Sequence, residues 1–176
     1  MKQPILFTLA VSCSLLGFIA TKAADPLEQR KALAVIASLG GKVETDAKNA
    51  VIMIDLNGTK VTDDQLKSLK ALSTVRKLHL QNTGITDVGL ATLKDFTDLQ
   101  SLSLTHTKIT DDGLDNLKGL SKLKSLHIAN TKVTDKGLEQ IKELSGLQTL
   151  FLRGTKVTDD GVKELKKALP KLEVDH

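Results

Sequence analysis

The sequence predicts an α/β solenoid, in which short parallel strands line a concave side and helices cover the convex side. Three observations predict it: a unit of 24 residues occurs five times, each unit changes its apolar period midway, and polar columns recur at fixed places. A fixed period over five copies indicates a repeat architecture, because no single unit can bury its apolar side alone. The copies occupy residues 50–169 and begin at Ala50, Thr74, Asp98, Lys122 and Gly146.

Each unit begins like a strand and ends like a helix. In the third copy, Leu102 and Leu104 alternate with polar residues, as in a short strand with one buried face. Leu114, Leu117 and Leu120 then follow at helical spacing along one face. Stacked units therefore predict a continuous core of Leu, Ile and Val between a parallel sheet and a layer of helices.

The unit resembles the leucine-rich repeat family. The resemblance rests on the motif L-x-x-L-x-L-x-x-T followed by x-(I/V)-T-D-x-G-L-x-x-L, and it covers about residues 51–169. Threonine stands at the ninth place, and the unit is most similar to the cysteine-containing subfamily and to secreted bacterial versions. The resemblance implies a right-handed horseshoe but no single function, because these solenoids serve many unrelated tasks.

Residues 1–23 have the pattern of a secretory signal peptide. Lys2 gives a positive start, an apolar stretch follows, and small residues predict cleavage after Ala23. The apolar stretch is shorter than the roughly 20 residues that span a membrane, which disfavours an uncleaved anchor. Cys13, the single cysteine, fits a lipoprotein signal poorly. We therefore expect a secreted protein or one of the periplasm and cell envelope.

Residues 24–49 are predicted to cap the amino-terminal end of the array. Asp25 is placed to cap an amphipathic helix that extends to Leu39, where two glycines end it. A strand at residues 42–45 then forms a hairpin with a strand at residues 51–56. This cap would cover apolar area that an open solenoid end exposes.

Residues 170–176 are predicted to form a short carboxyl-terminal cap. Pro170 ends the last helix, and residues 171–174 begin a further strand. Because this cap is thin, a homodimer that pairs the exposed sheet edges is an alternative to a monomer.

Two threonine columns and one aspartate column mark the turn of every unit. We expect the ninth-place threonines to point inward and to bond turn backbone between adjacent coils. The second threonine is placed to cap the helix, the next aspartate to face the positive helix end, and the later glycine to permit close packing of coils. The columns are Thr59, Thr83, Thr107, Thr131 and Thr155; Thr62, Thr86, Thr110, Thr134 and Thr158; and Asp63, Asp87, Asp111, Asp135 and Asp159.

Residues between the buried leucines of each strand are predicted to face the concave side. They vary from copy to copy, which indicates that the scaffold does not dictate them. A varied polar surface with one aromatic residue and one arginine is typical of a partner-binding face, and Phe151 would be its apolar anchor. The predicted binding residues are Lys77, His79, Ser103, His127, Phe151 and Arg153.

Chemistry on this face is a weaker alternative. His79 and His127 are predicted to lie two strands apart, roughly 10 Å. No carboxylate is placed among His79, His106 and His127. Both points disfavour a metal site formed by the three histidines. A hydrolase built on Ser103 is disfavoured because parallel strands supply no oxyanion hole. Helix capping explains the aspartates without calcium. We predict no catalytic residue, no metal ligand and no cofactor.

The net charge is small once the signal is set aside. The chain carries +4, and two of these charges, Lys2 and Lys22, lie in residues 1–23, which leaves +2. Without a basic run, this charge disfavours nucleic acid as a partner. We predict an exported, non-catalytic module that binds another protein or peptide, with a self-associating envelope component as the alternative. An aromatic content of 2% disfavours a carbohydrate ligand.

Overall fold

The computed structural model describes residues 25–176; the predicted signal segment with Cys13 lies outside the described residues. Within the described part, seven strands form one sheet in chain order. The first two strands are antiparallel, and every later pair is parallel. The strands are β1 (Lys42–Thr45), β2 (Val51–Asp55), β3 (Lys77–His79), β4 (Ser101–Ser103), β5 (Ser125–His127), β6 (Thr149–Phe151) and β7 (Glu173–Asp175).

Helices alternate with the strands and pack against one another in sequence. In three coils a short α-helix passes into a 3₁₀ segment, at Leu69–Ala71, Leu93–Asp95 and Asp115–Leu117. The apolar residues of this part recur every three residues, which suits the three-residue turn of a 3₁₀ helix. The α-helices are α1 (Pro26–Ser38), α2 (Asp63–Ser68), α3 (Asp87–Leu90), α4 (Asp111–Leu114), α5 (Asp135–Ile141) and α6 (Asp159–Ala168).

One apolar core runs through all the coils, as the sequence predicts. Its centre is a row of strand residues that have no solvent exposure, and helix leucines close it from the other side. Burying each such side chain stabilises the fold by about 1.5–3 kcal/mol relative to leaving it exposed. The strand row is Ile54, Leu78, Leu102, Leu126 and Leu150.

The helix α1 covers the open end of the first coil. Asp25 Oδ1 accepts a hydrogen bond from Leu27 N at 2.9 Å, which caps the helix as predicted. The helix ends before Gly40, whose φ of +74° favours glycine. Ala32 and Ile36 are buried in the common core, so α1 extends that core beyond the repeats.

The strand β7 extends the sheet beyond the fifth repeat. It begins at Glu173 rather than at the predicted Lys171, because the chain is still turning there and Leu172 N bonds Leu169 O at 3.0 Å. Leu172 is buried. The segment between α6 and β7 therefore closes the core at this end.

The ninth-place threonines bond within their own coil, so the predicted bonds between coils are wrong. Thr83, Thr107 and Thr131 are buried, and each donates from Oγ1 to the carbonyl three residues earlier, at 2.6–2.7 Å. The backbone of the neighbouring coil is already occupied by other backbone groups; for example, Asn82 N donates to Thr105 O. The threonines therefore fix the turn after each strand.

The aspartate column bonds adjacent coils to one another, a role that the sequence did not reveal. Asp111 accepts from Thr134 N and from Thr134 Oγ1 of the next coil, both at 2.7 Å. The aspartates do lie in the first helical turn, as predicted, but their hydrogen bonds join coils. We call this set the Asp–Thr ladder; its other pairs are Asp63–Thr86, Asp87–Thr110 and Asp135–Thr158.

Four of the five threonines in the second threonine column (Thr62, Thr86, Thr110, Thr134 and Thr158) also cap their own helices, as predicted. Thr110 makes no side-chain cap bond. The capping members are Thr62, Thr86, Thr134 and Thr158.

The glycine of each turn makes room for the ladder. A Cβ at Gly89, Gly113, Gly137 or Gly161 would overlap the aspartate carboxylate of the preceding coil. The predicted close packing is confirmed, and the packed group is identified. The first coil has Gln65 at this place and has no ladder aspartate before it.

Both ends of the ladder are closed by side chains of the same chain. Gln65 Oε1 accepts from Thr62 N at 3.0 Å and from Thr62 Oγ1 at 3.3 Å, the two groups that an aspartate serves elsewhere. At the other end, His176 Nδ1 lies 3.3 Å from Asp159 Oδ1, and His176 Nε2 donates to Val157 O at 2.9 Å. The first and last members of the ladder therefore each have a partner among the described residues.

Candidate functional site on the sheet face

Two columns of side chains cross strands β2–β7 on the side away from the core. We call this surface the sheet face. The strand register aligns its residues from coil to coil, as the repeat period predicts. The columns are Met53, Lys77, Ser101, Ser125, Thr149 and Glu173, and Asp55, His79, Ser103, His127, Phe151 and Asp175.

An aromatic stack lies on β5 and β6. The rings of His127 and Phe151 have centroids 4.1 Å apart and are nearly parallel, with an interplanar angle of 18°. Thr149 Oγ1 donates to Ser125 Oγ at 2.9 Å, and Ser125 Oγ lies 3.0 Å from His127 Nε2. Because Ser125 accepts from Thr149, its own proton is free to go to His127 Nε2, which leaves the ring proton on Nδ1. The imidazole of His127 is thus held by Phe151 against one face of the ring and by Ser125 at its Nε2 atom.

Burial changes the acid–base behaviour of His127. Burial lowers the pKa of His127 below its usual 6.5, and the nearby His79 lowers the pKa further. A neutral ring at neutral pH suits both the stack with Phe151 and the hydrogen bond that Nε2 accepts. This pair offers a flat apolar surface among polar neighbours.

Lys77 and His79 project from β3. Lys77 is exposed and forms no ion pair within residues 25–176, and the His79 side chain makes no hydrogen bond in the same part of the chain. Both side chains are therefore available to an incoming group. The use of both residues as contacts stays a prediction.

Arg153 is tied to a residue that sequence reasoning missed. Its Nε donates to Asp175 Oδ1 at 2.6 Å, although the arginine side chain remains 72% exposed. The signal for Asp175 was available, because it stands 24 residues after Phe151 and so continues the same column into β7. Arg153 thus enters the face as half of an ion pair.

Ser103 lies at the centre of the face and is almost fully buried. Its exposure is 3%, and its Oγ has no hydrogen-bond partner among the described residues. The contact between a nucleophile and a base that a hydrolase needs is therefore missing from Ser103, and His127 Nε2 faces Ser125 instead. His79 and His127 flank Ser103 in the same column.

The three histidines do not converge. His106 lies beyond β4 in a left-handed turn with φ of +55°, and its Nε2 lies 3.2 Å from Asn130 Nδ2. Among residues 25–176, no three His, Cys, Asp or Glu side chains are grouped so that they could hold a metal ion. In the same residues, no helix has the length and apolar character needed to cross a membrane.

Comparison with known proteins bears on this architecture. A family profile described as leucine rich repeat matches residues 73–133 and 97–157. A search of curated proteins returns no match.

Three solved structures are similar to parts of this chain. A leucine-rich repeat protein of Leptospira interrogans is 25% identical, with a TM-score of 0.52 over 62% of this chain and 27% of that chain. The PEPR1–AtPEP1 structure is 16% identical, with a TM-score of 0.51 over 76% of this chain and 19% of that chain. An internalin of Listeria monocytogenes is 24% identical, with a TM-score of 0.46 over 66% of this chain and 38% of that chain. The chain therefore spans 38% or less of the length of each of these proteins.

The repeat pattern, the sheet and the family profile all indicate the same family of repeats. Proteins with these repeats commonly mediate protein–protein interactions, and they are typically non-catalytic. The stacked 24-residue coils with their parallel strands, which the family profile matches over residues 73–157, are those of the leucine-rich repeat family.

Proposed function

We propose that the chain is an exported, non-catalytic module that binds another protein or peptide through the sheet face. The observation that carries the proposal is a contrast between the two sides of the same strands. The inward positions are Ile, Leu or Val in every coil, whereas the outward positions differ in charge, size and polarity from coil to coil. Stacking of the coils does not require this variety, so the outward residues are free to be those that contact a ligand.

The chemistry of the face supports a protein ligand. Phe151 and His127 provide a rigid apolar centre, and serine, threonine and charged side chains surround it. Protein interfaces have this arrangement, with aromatic anchors at the centre and a polar rim. Lys77 and the Arg153–Asp175 pair form parts of that rim.

The size of the face also supports a peptide or a small domain. Strands β2–β7 lie about 4.8 Å apart, which gives a width of roughly 25 Å. A standard interface buries about 800 Å² on each partner, so such a face can supply part of one.

A capture experiment tests the binding proposal. The bait is the chain, and the test variant combines Phe151→Ser with Lys77→Ser, residue types that other coils carry in the same columns. The matched control is Val88→Asp, because Val88 is exposed on a helix and the equivalent residues of neighbouring coils are Asp64 and Asp112. All three are checked by circular dichroism.

The proposal expects a protein that the wild-type chain and the Val88→Asp variant capture and the sheet-face variant does not. Equal capture by all three would move the site off the sheet face. Loss in the Val88→Asp variant alone would place the site on the helices.

Export is tested separately. The positive start, apolar stretch and small residues of residues 1–23 support it. Mass spectrometry of the protein from its native cells should find an amino terminus at Ala24. Recovery of the chain beginning at Met1 from the cytoplasm would contradict it.

A further inference from the structure

We propose that Ser103, His79 and Lys77 form a subsite on the sheet face that binds the carboxylate group of an acidic side chain of the protein partner. This inference rests on the proposed function, because it names the chemistry of one contact within that surface.

The starting observation is the hydroxyl of Ser103. It belongs to an outward column, yet Ser103 is 3% exposed and its Oγ has no hydrogen-bond partner in the described residues. A buried hydroxyl without a partner costs stability, and native proteins satisfy the large majority of such groups. The hydroxyl is therefore an unused donor at the centre of the face.

The residues that cover Ser103 differ in how firmly they are held. Register places His79 on one side of Ser103 and His127 on the other, one strand away in each direction. His127 is fixed by its stack on Phe151 and by Ser125. The His79 side chain has no hydrogen bond within residues 25–176, so it can turn about its two side-chain torsions and open the hydroxyl to a ligand.

One unpaired cation of the sheet face, Lys77, lies near Ser103. Lys77 lies on β3 beside Ser101, is exposed and has no ion-pair partner within the described part of the chain. Asp55, in the column beyond His79, has one carboxylate oxygen bonded to Asn57 N at 3.0 Å. Asp175, at the far end, is paired with Arg153. The charges near Ser103 that have no ion-pair partner in the described part of the chain are the ammonium of Lys77 and, two strands away and beyond His79, the carboxylate of Asp55. Of these two, only Lys77 is a cation that can pair with an incoming anion.

The donors select a carboxylate over a neutral group. Ser103 and His79 lie opposite each other on adjacent strands, about 4.8 Å apart, and Lys77 lies two residues from His79 along β3. The Ser103 hydroxyl, the His79 imidazole N–H and the Lys77 ammonium have no acceptor among the described residues. A carboxylate offers two acceptor oxygens, and hydrogen bonds to an ionised acceptor are stronger than neutral ones. A carboxamide offers one acceptor and brings two further donors, so it would leave part of the set unsatisfied.

The test uses sodium acetate as the carboxylate probe and acetamide as its neutral counterpart, at constant ionic strength set with chloride. Imidazole resonances are followed by NMR. The chain has four histidines, so His106 and His176 serve as internal references for His79 and His127. No partner is needed, which separates this test from the capture experiment.

The proposal predicts saturable shifts of the His79 resonances with acetate and none with acetamide. Ser103→Ala should weaken acetate binding at least about fivefold, since a hydrogen bond to a charged group is lost. Lys77→Ser should also weaken it, and Lys124→Gln, which removes a nearby exposed lysine, should not. Ser103→Ala removes an unsatisfied buried group, so that variant is expected to fold.

Equal shifts with acetate and acetamide would overturn the proposal. So would acetate shifts that are the same in Ser103→Ala as in the wild-type chain. In either case, a partner captured through Phe151 would still support the proposed function. Acetate binding without any captured partner would leave the subsite in place and contradict the proposed function.

Discussion

At the scale of single residues, the turn glycines are set by one carboxylate of the preceding coil. Gly113 lies against Asp87, and a Cβ there would overlap both the carboxylate and Leu90. Gly119, in the same coil, has no atom within 4 Å of its Cβ position. The two glycines therefore form a matched pair in which only one is required by packing.

We predict that Gly113→Ala lowers the free energy of unfolding by about 1–3 kcal/mol, because the added methyl overpacks the contact with Asp87. Gly119→Ala should change it by less than about 1 kcal/mol or raise it, since the new side chain meets open space and restricts the unfolded chain. Urea denaturation measures both. Equal effects would show that the carboxylate does not dictate the glycine.

The acid response of the fold is predicted to depend on His127. Its pKa is lowered in the folded chain by burial and by His79, so the unfolded chain binds the proton more readily. The contribution of His127 to stability is therefore full above about pH 6.5, and it is lost as the pH falls from there through the lowered folded pKa.

Urea denaturation from pH 8 to pH 5 tests this in the wild-type chain and in His127→Phe. The variant keeps an aromatic ring beside Phe151 and cannot titrate. It should lose less stability over the acid part of the range. An unchanged slope would assign the acid response to other groups.

At the scale of the elements, the Asp–Thr ladder joins each helix start to the next coil. Asp111 accepts two hydrogen bonds at 2.7 Å from Thr134. Asp135 accepts two hydrogen bonds from Thr158 in the same way. These bonds lower the pKa of Asp135 below its usual value, and the bond from the backbone N–H has the larger effect, followed by the bond from the side chain. The ladder keeps the strands in register and so positions the columns of the sheet face.

We predict that Asp111→Ala lowers the free energy of unfolding by about 1–3 kcal/mol, because two hydrogen bonds are lost and Thr134 N is left half-buried without its acceptor. The control is Asp112→Ala. Its carboxylate is 82% exposed and lies 3.6 Å from Lys136, so the loss should stay within about 0.5 kcal/mol. Equal losses in thermal or urea unfolding would contradict a structural ladder.

The elements differ in how far the sequence could predict them. The strands and the alignment of Lys77, Ser101 and Ser125 follow from the 24-residue period, because equal spacing gives equal places in a stack. The ladder does not follow, because Asp111 and Thr134 belong to different coils and only the coil geometry brings them together. One feature of the sequence did point to the ladder. Glycine occupies the turn position in every repeat that follows a ladder aspartate, and Gln65 replaces it in the one repeat that no ladder aspartate precedes.

The candidate site shows the same limit. The column of Ser103, His79 and His127 could be read from the repeat, but the burial of Ser103 without a partner could not, since it depends on how the neighbouring rings are turned. The Arg153–Asp175 pair was missed because the column was not continued into β7.

At the scale of the whole molecule, both ends of the solenoid are covered by the chain itself. At the amino-terminal end, α1 extends the core and Gln65 closes the ladder. At the other end, β7 pairs with β6, and His176 lies against Asp159. The edge strands of the sheet are β1 and β7, and pairing of these edges in a homodimer stays a prediction.

We predict that deletion of residues 173–176 destabilises the fold and promotes self-association, because β6 becomes an unpaired edge and the last coil loses its cover. Analytical ultracentrifugation over a range of concentrations measures this. His176→Ala, which keeps β7, is the control and should remain in the wild-type state. A deleted chain that is as stable as the full chain and has the same association state would show that β7 has no capping role.

Site-specific photo-crosslinking can show whether the sheet face contacts a partner. A photoreactive residue is placed at Ser125 on the sheet face, and in a second chain at Val88 on the helical side. We expect a crosslinked adduct with one other protein from Ser125 and none from Val88. An adduct from Val88 alone, or adducts from Ser125 that consist only of a second copy of the chain, would contradict this expectation.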